Sequence, residues 1–188
     1  MQPKLAAIVL LLFIGVVAGR VIFMRRQGLN AVQFGRRDKK DYLIPPFALL
    51  YFYIVFAHAF NWPSFINRTL FQSGLLAWFG ILLCVVGLII FLLSVISIGA
   101  SFRVGIDDDH PDKLVTNGIF SISRNPIYIG FWVVLLGQFL VFPNWVFLLY
   151  IPAASWLFHR QVLLEEAFLS QHYGAEYSQY CSRVRRYL

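Results

Sequence analysis

The sequence predicts an all-α integral membrane protein, a single membrane domain over residues 1–188. It has about five transmembrane helices, the last two forming a C-terminal helical hairpin. Three observations carry this prediction. Of the 188 residues, 59% are hydrophobic and only 13% charged. That is about half the roughly 25% charge of an ordinary soluble domain, which excludes a disordered chain, a collagen-like fibre and a conventional water-soluble globule. The charges are absent from four long stretches, residues 5–19, 42–67, 69–102 and 125–159. The cations that remain fall almost entirely on one side of the helices those stretches predict.

A helix needs about 20 apolar residues to cross ~30 Å of hydrocarbon. The first stretch reaches that length when residues 21–24 are added and Arg20 snorkels at its end. Arg20, Arg25 and Arg26 follow the apolar run, the reverse of a signal peptide's arrangement, so a retained helix with an external N-terminus is expected. Gly15 and Gly19 form a small-xxx-small pair expected to pack against a neighbouring helix of the same chain or of another, with packing within the bundle favoured. The second helix covers residues 44–60 and opens on Pro45-Pro46, which suit a first turn. The third stretch spans with length to spare. The fourth is divided by the turn signal Pro143-Asn144 into helices over 127–142 and 145–158. The last helix continues through Glu165 and Glu166 to His172.

Five crossings from an external N-terminus place 14 of the 16 cations in the cytosol, leaving only Lys4 and Arg68 outside. The net charge of +7 therefore reads as membrane topology and contact with anionic headgroups, not as a nucleic-acid surface. Residues 1–100 supply the N-terminal transmembrane helices. Residues 101–188 supply a cytosolic loop, the hairpin and a C-terminal helical segment. Cys84 and Cys181 lack CxxC spacing and His58, His110, His159 and His172 are scattered, so no metal site is expected.

With the helices as scaffold, chemistry falls to the loop 101–125 and the C-terminal segment. Asn125 is a good N-cap and Pro126 fits the first position of the helix that follows. The free amides and positive dipole end there favour an anion, although plain capping accounts for the Asn-Pro pair taken alone. Asn117-Gly118 signals a turn, and Asp107-Asp108-Asp109 reads as a solvated acidic stretch. Glu165 and Glu166 follow the apolar helix by less than two turns, with Arg160 five residues before Glu165. At a membrane face a carboxylate can hold hydroxyls or an ammonium, and an arginine a carboxylate or phosphate. Composition alone reads the same stretch as an amphipathic helix with its acids in water.

Taken in order, these segments resemble the isoprenylcysteine carboxyl methyltransferase family and the related phospholipid N-methyltransferases. The residues are Lys113-Leu114-Val115-Thr116-Asn117-Gly118-Ile119-Phe120 and then Arg124-Asn125-Pro126-Ile127-Tyr128-Ile129-Gly130. After the hairpin come Glu165-Glu166 and His172-Tyr173-Gly174-Ala175-Glu176-Tyr177. The resemblance covers roughly the C-terminal half. It implies an integral membrane methyltransferase using S-adenosyl-L-methionine, bound in a cytosolic pocket closed by the loop and C-terminal helices. Carried over by position, Lys113, Leu114, Val115 and Phe120 would border the adenosine part of the cofactor. Asn125, Pro126, Ile127 and Tyr128 would line its amino-acid end. Glu165 would hydrogen-bond the cofactor, and Arg160 would face the acceptor, making Arg160 and Glu165 the candidate catalytic residues. Asn125 stands where many relatives have His and Phe120 where many have Tyr. The basic position is ambiguous, since alignment through Trp156 selects Arg160 and alignment back from Gly174 selects Gln161.

The implied substrate is lipophilic, an isoprenylcysteine-type carboxylate, a lipid amine or a lipidated peptide, entering from the bilayer. Two other readings stand beside this one: an NADPH-dependent reductase of sterol or isoprenoid double bonds, and a non-enzymatic protein that binds anionic lipid. The acceptor and the oligomeric state are not legible in the sequence.

Overall fold

The computed structural model describes residues 1–26, 42–62, 68–99 and 114–188. Among them are six α-helices: α1 Gln2–Arg26, α2 Ile44–Ala59, α3 Gly74–Ile98, α4 Pro126–Val141, α5 Trp145–Tyr173 and α6 Ala175–Arg183. A 3-10 turn, Gly118–Ser121, precedes α4. No strand occurs among the described residues, only an isolated antiparallel bridge between Thr69 and Asn144. Lys113 and loop residues 101–112, Asp107-Asp108-Asp109 and His110 among them, lie outside the described residues.

Two helices, α1 and α3, are long and apolar enough to cross a membrane, at 25 residues each, or about 37 Å. Helices α2 and α4 stop at 16 residues, about 24 Å, and α5 runs through Pro152 to 29 residues with a polar final third. Helix α3 turns an apolar face outward. Leu75, Phe79, Leu82, Val86, Ile89, Leu93 and Ile96 follow a three- and four-residue spacing and are all exposed, Leu75 to 85%. A continuous apolar stripe facing outward, on a helix whose other face is also apolar, suits hydrocarbon and not water.

The inner face of α3 is built for close approach. A Cβ added at Gly80 would lie 2.5 Å from the Gly137 carbonyl oxygen, and one at Gly87 2.8 Å from that of Gly130. Gly80 opposite Gly137 and Gly87 opposite Gly130 make α3 and α4 antiparallel, with backbones touching at two points one heptad apart. Among the described residues the expected contact of Gly15 and Gly19 within the bundle is not made, since an added Cβ at either meets nothing within 4 Å. Small residues mark a helix face that can approach another closely, and only the partner's surface decides which such face is used.

Around this seam, Phe13 of α1 stacks on Phe91 of α3 at 3.9 Å and contacts Phe131 of α4. Further along, Ala6, Leu10, Ile54, Val55, Leu135, Phe147 and Ala154 bring α1, α2, α4 and α5 into one core. One buried polar side chain crosses it. Gln138 accepts the Tyr51 hydroxyl at 2.5 Å and donates to the Ala6 carbonyl at 3.4 Å, so the amide is satisfied where water is excluded. The turn expected at Pro143-Asn144 forms, with Asn144 Oδ1 capping α5 by accepting the Phe147 amide at 2.8 Å.

Candidate functional site

The antiparallel hairpin places the start of α4 beside the polar final third of α5. The 3-10 turn brings the chain there. Gly118 adopts φ +59°, and a Cβ at this position would lie 2.5 Å from the Ser97 hydroxyl oxygen at the end of α3. Only glycine allows both that conformation and that approach. Phe120 is buried and its carbonyl accepts the Tyr180 hydroxyl at 2.6 Å, which docks α6 on the turn.

Glu165 and Glu166 are adjacent on α5 but serve different surroundings. Glu165 Oε1 accepts the Tyr128 hydroxyl of α4 at 2.6 Å and the Gln161 amide at 3.4 Å. Glu166 is 9% exposed and lies between two guanidinium groups. Arg124 grips Oε1 through Nε and Nη2, each at 3.1 Å, and Arg186 grips Oε2 through Nε at 2.9 Å and Nη2 at 2.8 Å. Such charge-assisted pairs are shorter and stronger than neutral hydrogen bonds. The reading of both acids as solvated is therefore corrected: the turn of α5 that carries them faces the start of α4 and the C-terminal tail.

Asn125 occupies the N-cap position of α4 but makes no capping bond with its side chain. Its amide instead donates to Glu166 Oε1 at 3.0 Å and to the Arg186 carbonyl at 3.1 Å. The expected cap is thus not formed: the two hydrogen bonds donated by Nδ2 fix the side chain in an orientation in which Oδ1 makes no capping bond. The first turn of α4 is left without a side-chain cap. Pro126 behind it is fully buried, and Ile127 packs on the cluster of Phe91 and Val134.

Leu114 packs against Tyr177, Tyr180 and Val184 of the C-terminal segment, and Val115 is half-buried. Burial pushes the Tyr180 phenol up to about 12, against a smaller opposing pull from Arg124. Burial also raises Tyr177, aided by the Glu166 carboxylate. Both phenols are therefore neutral near pH 7. Arg160 is half-buried on α5, five residues before Glu165, which is about 140° around the helix.

The hydrogen bonds bring Tyr128, Gln161 and Glu165 together, and Asn125 with Glu166 one residue along. Arg124, Ser123 and Arg186 complete this second group, and sequence reasoning assigned them no role in it. Arg186 lies 20 residues from its partner Glu166, and no local periodicity marks such a pair. A buried acid does need a cation, and the tail's Arg183, Arg185 and Arg186 were the nearby supply.

The phospholipid methyltransferase family matches residues 75–176 of the chain, from the start of α3 to the start of α6. An Oryza sativa subsp. indica protein named "Probable protein-S-isoprenylcysteine O-methyltransferase" is 31% identical over 116 residues, 57% of this chain and 60% of that protein. The Arabidopsis thaliana protein-S-isoprenylcysteine O-methyltransferase A is 32% identical over 109 residues, 56% of this chain and 55% of the relative. The Tribolium castaneum protein-S-isoprenylcysteine O-methyltransferase is 26% identical over 132 residues, 66% of this chain and 47% of its own length. The match thus spans about half to three-fifths of these curated relatives. A family match over more than half the chain, covering both walls of the site, makes this chain a member of the phospholipid methyltransferase family, similar to protein-S-isoprenylcysteine O-methyltransferases.

Proposed function

We propose that this chain is a membrane methyltransferase that moves a methyl group from S-adenosylmethionine to a lipophilic acceptor, an isoprenylcysteine-type carboxylate or a lipid amine. The observation that carries the proposal is the Tyr128–Glu165 pair, a carboxylate beside the uncapped first turn of α4 in an otherwise apolar helical bundle. In this reading five helical segments lie in the bilayer, with the N-terminus external and the site, loop and C-terminus cytosolic. The distribution of cations supports that orientation.

The residues present fit such a cofactor. Its amino-acid end needs acceptors for an ammonium and donors for a carboxylate. Glu165 is an acceptor, and Gln161 Oε1 is buried with no hydrogen-bond partner among the described residues. The first-turn amides of α4, beyond Pro126, are donors at a positive dipole end. Leu114, Val115 and Phe120 would border the adenine, with Lys113 at the edge of that wall, and Ile127 and Tyr128 would line the amino-acid end beside Asn125 and Pro126.

When bound, the cofactor supplies an electrophilic methyl group on a sulfonium. The chain's residues hold the reactants close and keep water out, which desolvates the nucleophile. Arg160 would hold an anionic group of the acceptor. A carboxylate acceptor reacts without a base. An amine must lose a proton, and Glu165, hydrogen-bonded to the Tyr128 hydroxyl, would take it. Methyl transfer from labelled S-adenosylmethionine into a total membrane extract, with identification of the labelled product, tests the activity. S-adenosylmethionine should raise the unfolding temperature of the purified protein and NADPH should not. The opposite result sinks the proposal in favour of a reductase.

A further inference from the structure

Tail residues 184–188 form no part of any helix, yet the carbonyls of Val184, Arg185 and Arg186 are all tied to the segment before α4. The Arg185 carbonyl accepts the Arg124 amide at 3.0 Å, and the Val184 and Cys181 carbonyls accept Arg124 Nη1 at 3.2 and 3.4 Å. The Arg186 carbonyl accepts both the Ser123 hydroxyl at 3.2 Å and the Asn125 amide at 3.1 Å. The side chain of Arg186 meanwhile reaches Glu166 on α5. One residue therefore holds the start of α4 through its carbonyl and the final third of α5 through its guanidinium. Tyr187 follows it between the same two helices, its ring against Trp132 of α4 at 4.8 Å and its hydroxyl 2.7 Å from His159 Nδ1 of α5.

We propose that Arg186 is a positioning residue of the methyl-transfer site: by clasping Glu166 it fixes the spacing of α4 and α5 at which Tyr128 meets Glu165. This rests on the methyltransferase reading. Glu165 adjoins Glu166, and Tyr128 stands three residues beyond Asn125, so a shift of the clasp moves both members of the pair. Each guanidinium grips one carboxylate oxygen through its Nε and Nη2 edge, a geometry that lysine's single ammonium does not reproduce. The Arg186 side chain is 40% exposed against 12% for Arg124 and 11% for Glu166. Removing it lets water in and leaves Arg124 neutralising Glu166, so the bundle should still fold.

The test uses the full chain in lipid nanodiscs, as wild type, Arg186→Ala and Arg186→Lys. Amide hydrogen exchange reads the clasp without turnover. Arg186→Ala should speed exchange at residues 123–130 and leave α1 and α3 unchanged. The KM for S-adenosylmethionine should rise about tenfold as Tyr128 and Glu165 lose their fixed spacing, an effect about the size of one charge-assisted hydrogen bond, with Arg186→Lys intermediate. Unchanged exchange at 123–130, or a KM within twofold of wild type, overturns the role of Arg186. Faster exchange throughout the bundle also overturns it, since Arg186 would then be a general stability residue. Failure of the wild type to bind S-adenosylmethionine instead sinks the methyltransferase reading, and the exchange data distinguish the two.

Discussion

Replacing Gly137 by alanine should push α3 and α4 apart and destabilise the bundle. The added Cβ would lie 2.5 Å from the Gly80 carbonyl oxygen, 2.8 Å from the Cys84 amide nitrogen and 2.9 Å from Cys84 Sγ. Ordinary contact distances are about 3.5–4 Å, so the helices must separate by roughly 1 Å at a point where both obstacles nearest the methyl are backbone. Overpacking of this kind costs about 1–3 kcal/mol, offset by the gain of up to about 1 kcal/mol from removing a helical glycine. Gly15→Ala carries the same helix gain with no clash, because nothing lies within 4 Å of its added Cβ. Comparing the two variants cancels the propensity term and isolates the contact. Unfolding by SDS titration in mixed micelles, followed by circular dichroism, should separate them by about 1–3 kcal/mol, with Gly137→Ala the weaker. Two variants agreeing within about 0.5 kcal/mol would refute the close antiparallel packing of α3 on α4.

Other perturbations probe the site itself. Tyr128→Phe and Glu165→Gln should each lower methyl transfer by about tenfold to a hundredfold, the range for one hydrogen bond to a charged group, without loss of circular dichroism; initial rates with labelled S-adenosylmethionine measure it. Glu166→Gln should destabilise the protein by about 3 kcal/mol, at the low end for a broken buried pair because water reaches Arg186, read from denaturant midpoints. Stability should also fall in alkali. The folded-state pKa of Tyr180 is raised to about 12 from an ordinary value of 10, so its contribution is full below pH 10 and is lost as the pH rises through about 12. Unfolding midpoints measured between pH 9 and 12 should decline less steeply in Tyr180→Phe than in the wild type.

Much of the architecture was legible because hydrocarbon imposes a length and an absence of charge that composition reveals directly. The hairpin turn at Pro143-Asn144, the start of α2 at Ile44 and the run of α5 past Glu166 all stand where residue type placed them. The seam between α3 and α4 was legible in principle, since Gly80 and Gly87 share the seven-residue spacing of Gly130 and Gly137. Gly15 and Gly19 carry the four-residue spacing, yet nothing described lies within 4 Å of a Cβ added at either. The two glutamates show the opposite case. Adjacent and chemically identical, they differ only in which groups face each: Tyr128 of α4 meets Glu165, while Arg124, Asn125 and the tail's Arg186 meet Glu166.

The sequence by itself determined the solvent, the helices, the turn chemistry and the family to which the chain belongs. These follow from local composition and from motifs whose residues lie close along the chain. The tertiary structure alone decided that Glu165 meets Tyr128, that Glu166 is shared by Arg124 and Arg186, and that the tail joins both walls of the site. A hydrogen bond depends on ångström-scale proximity and orientation, and folding sets that proximity between residues that sequence distance keeps 20 to 60 positions apart.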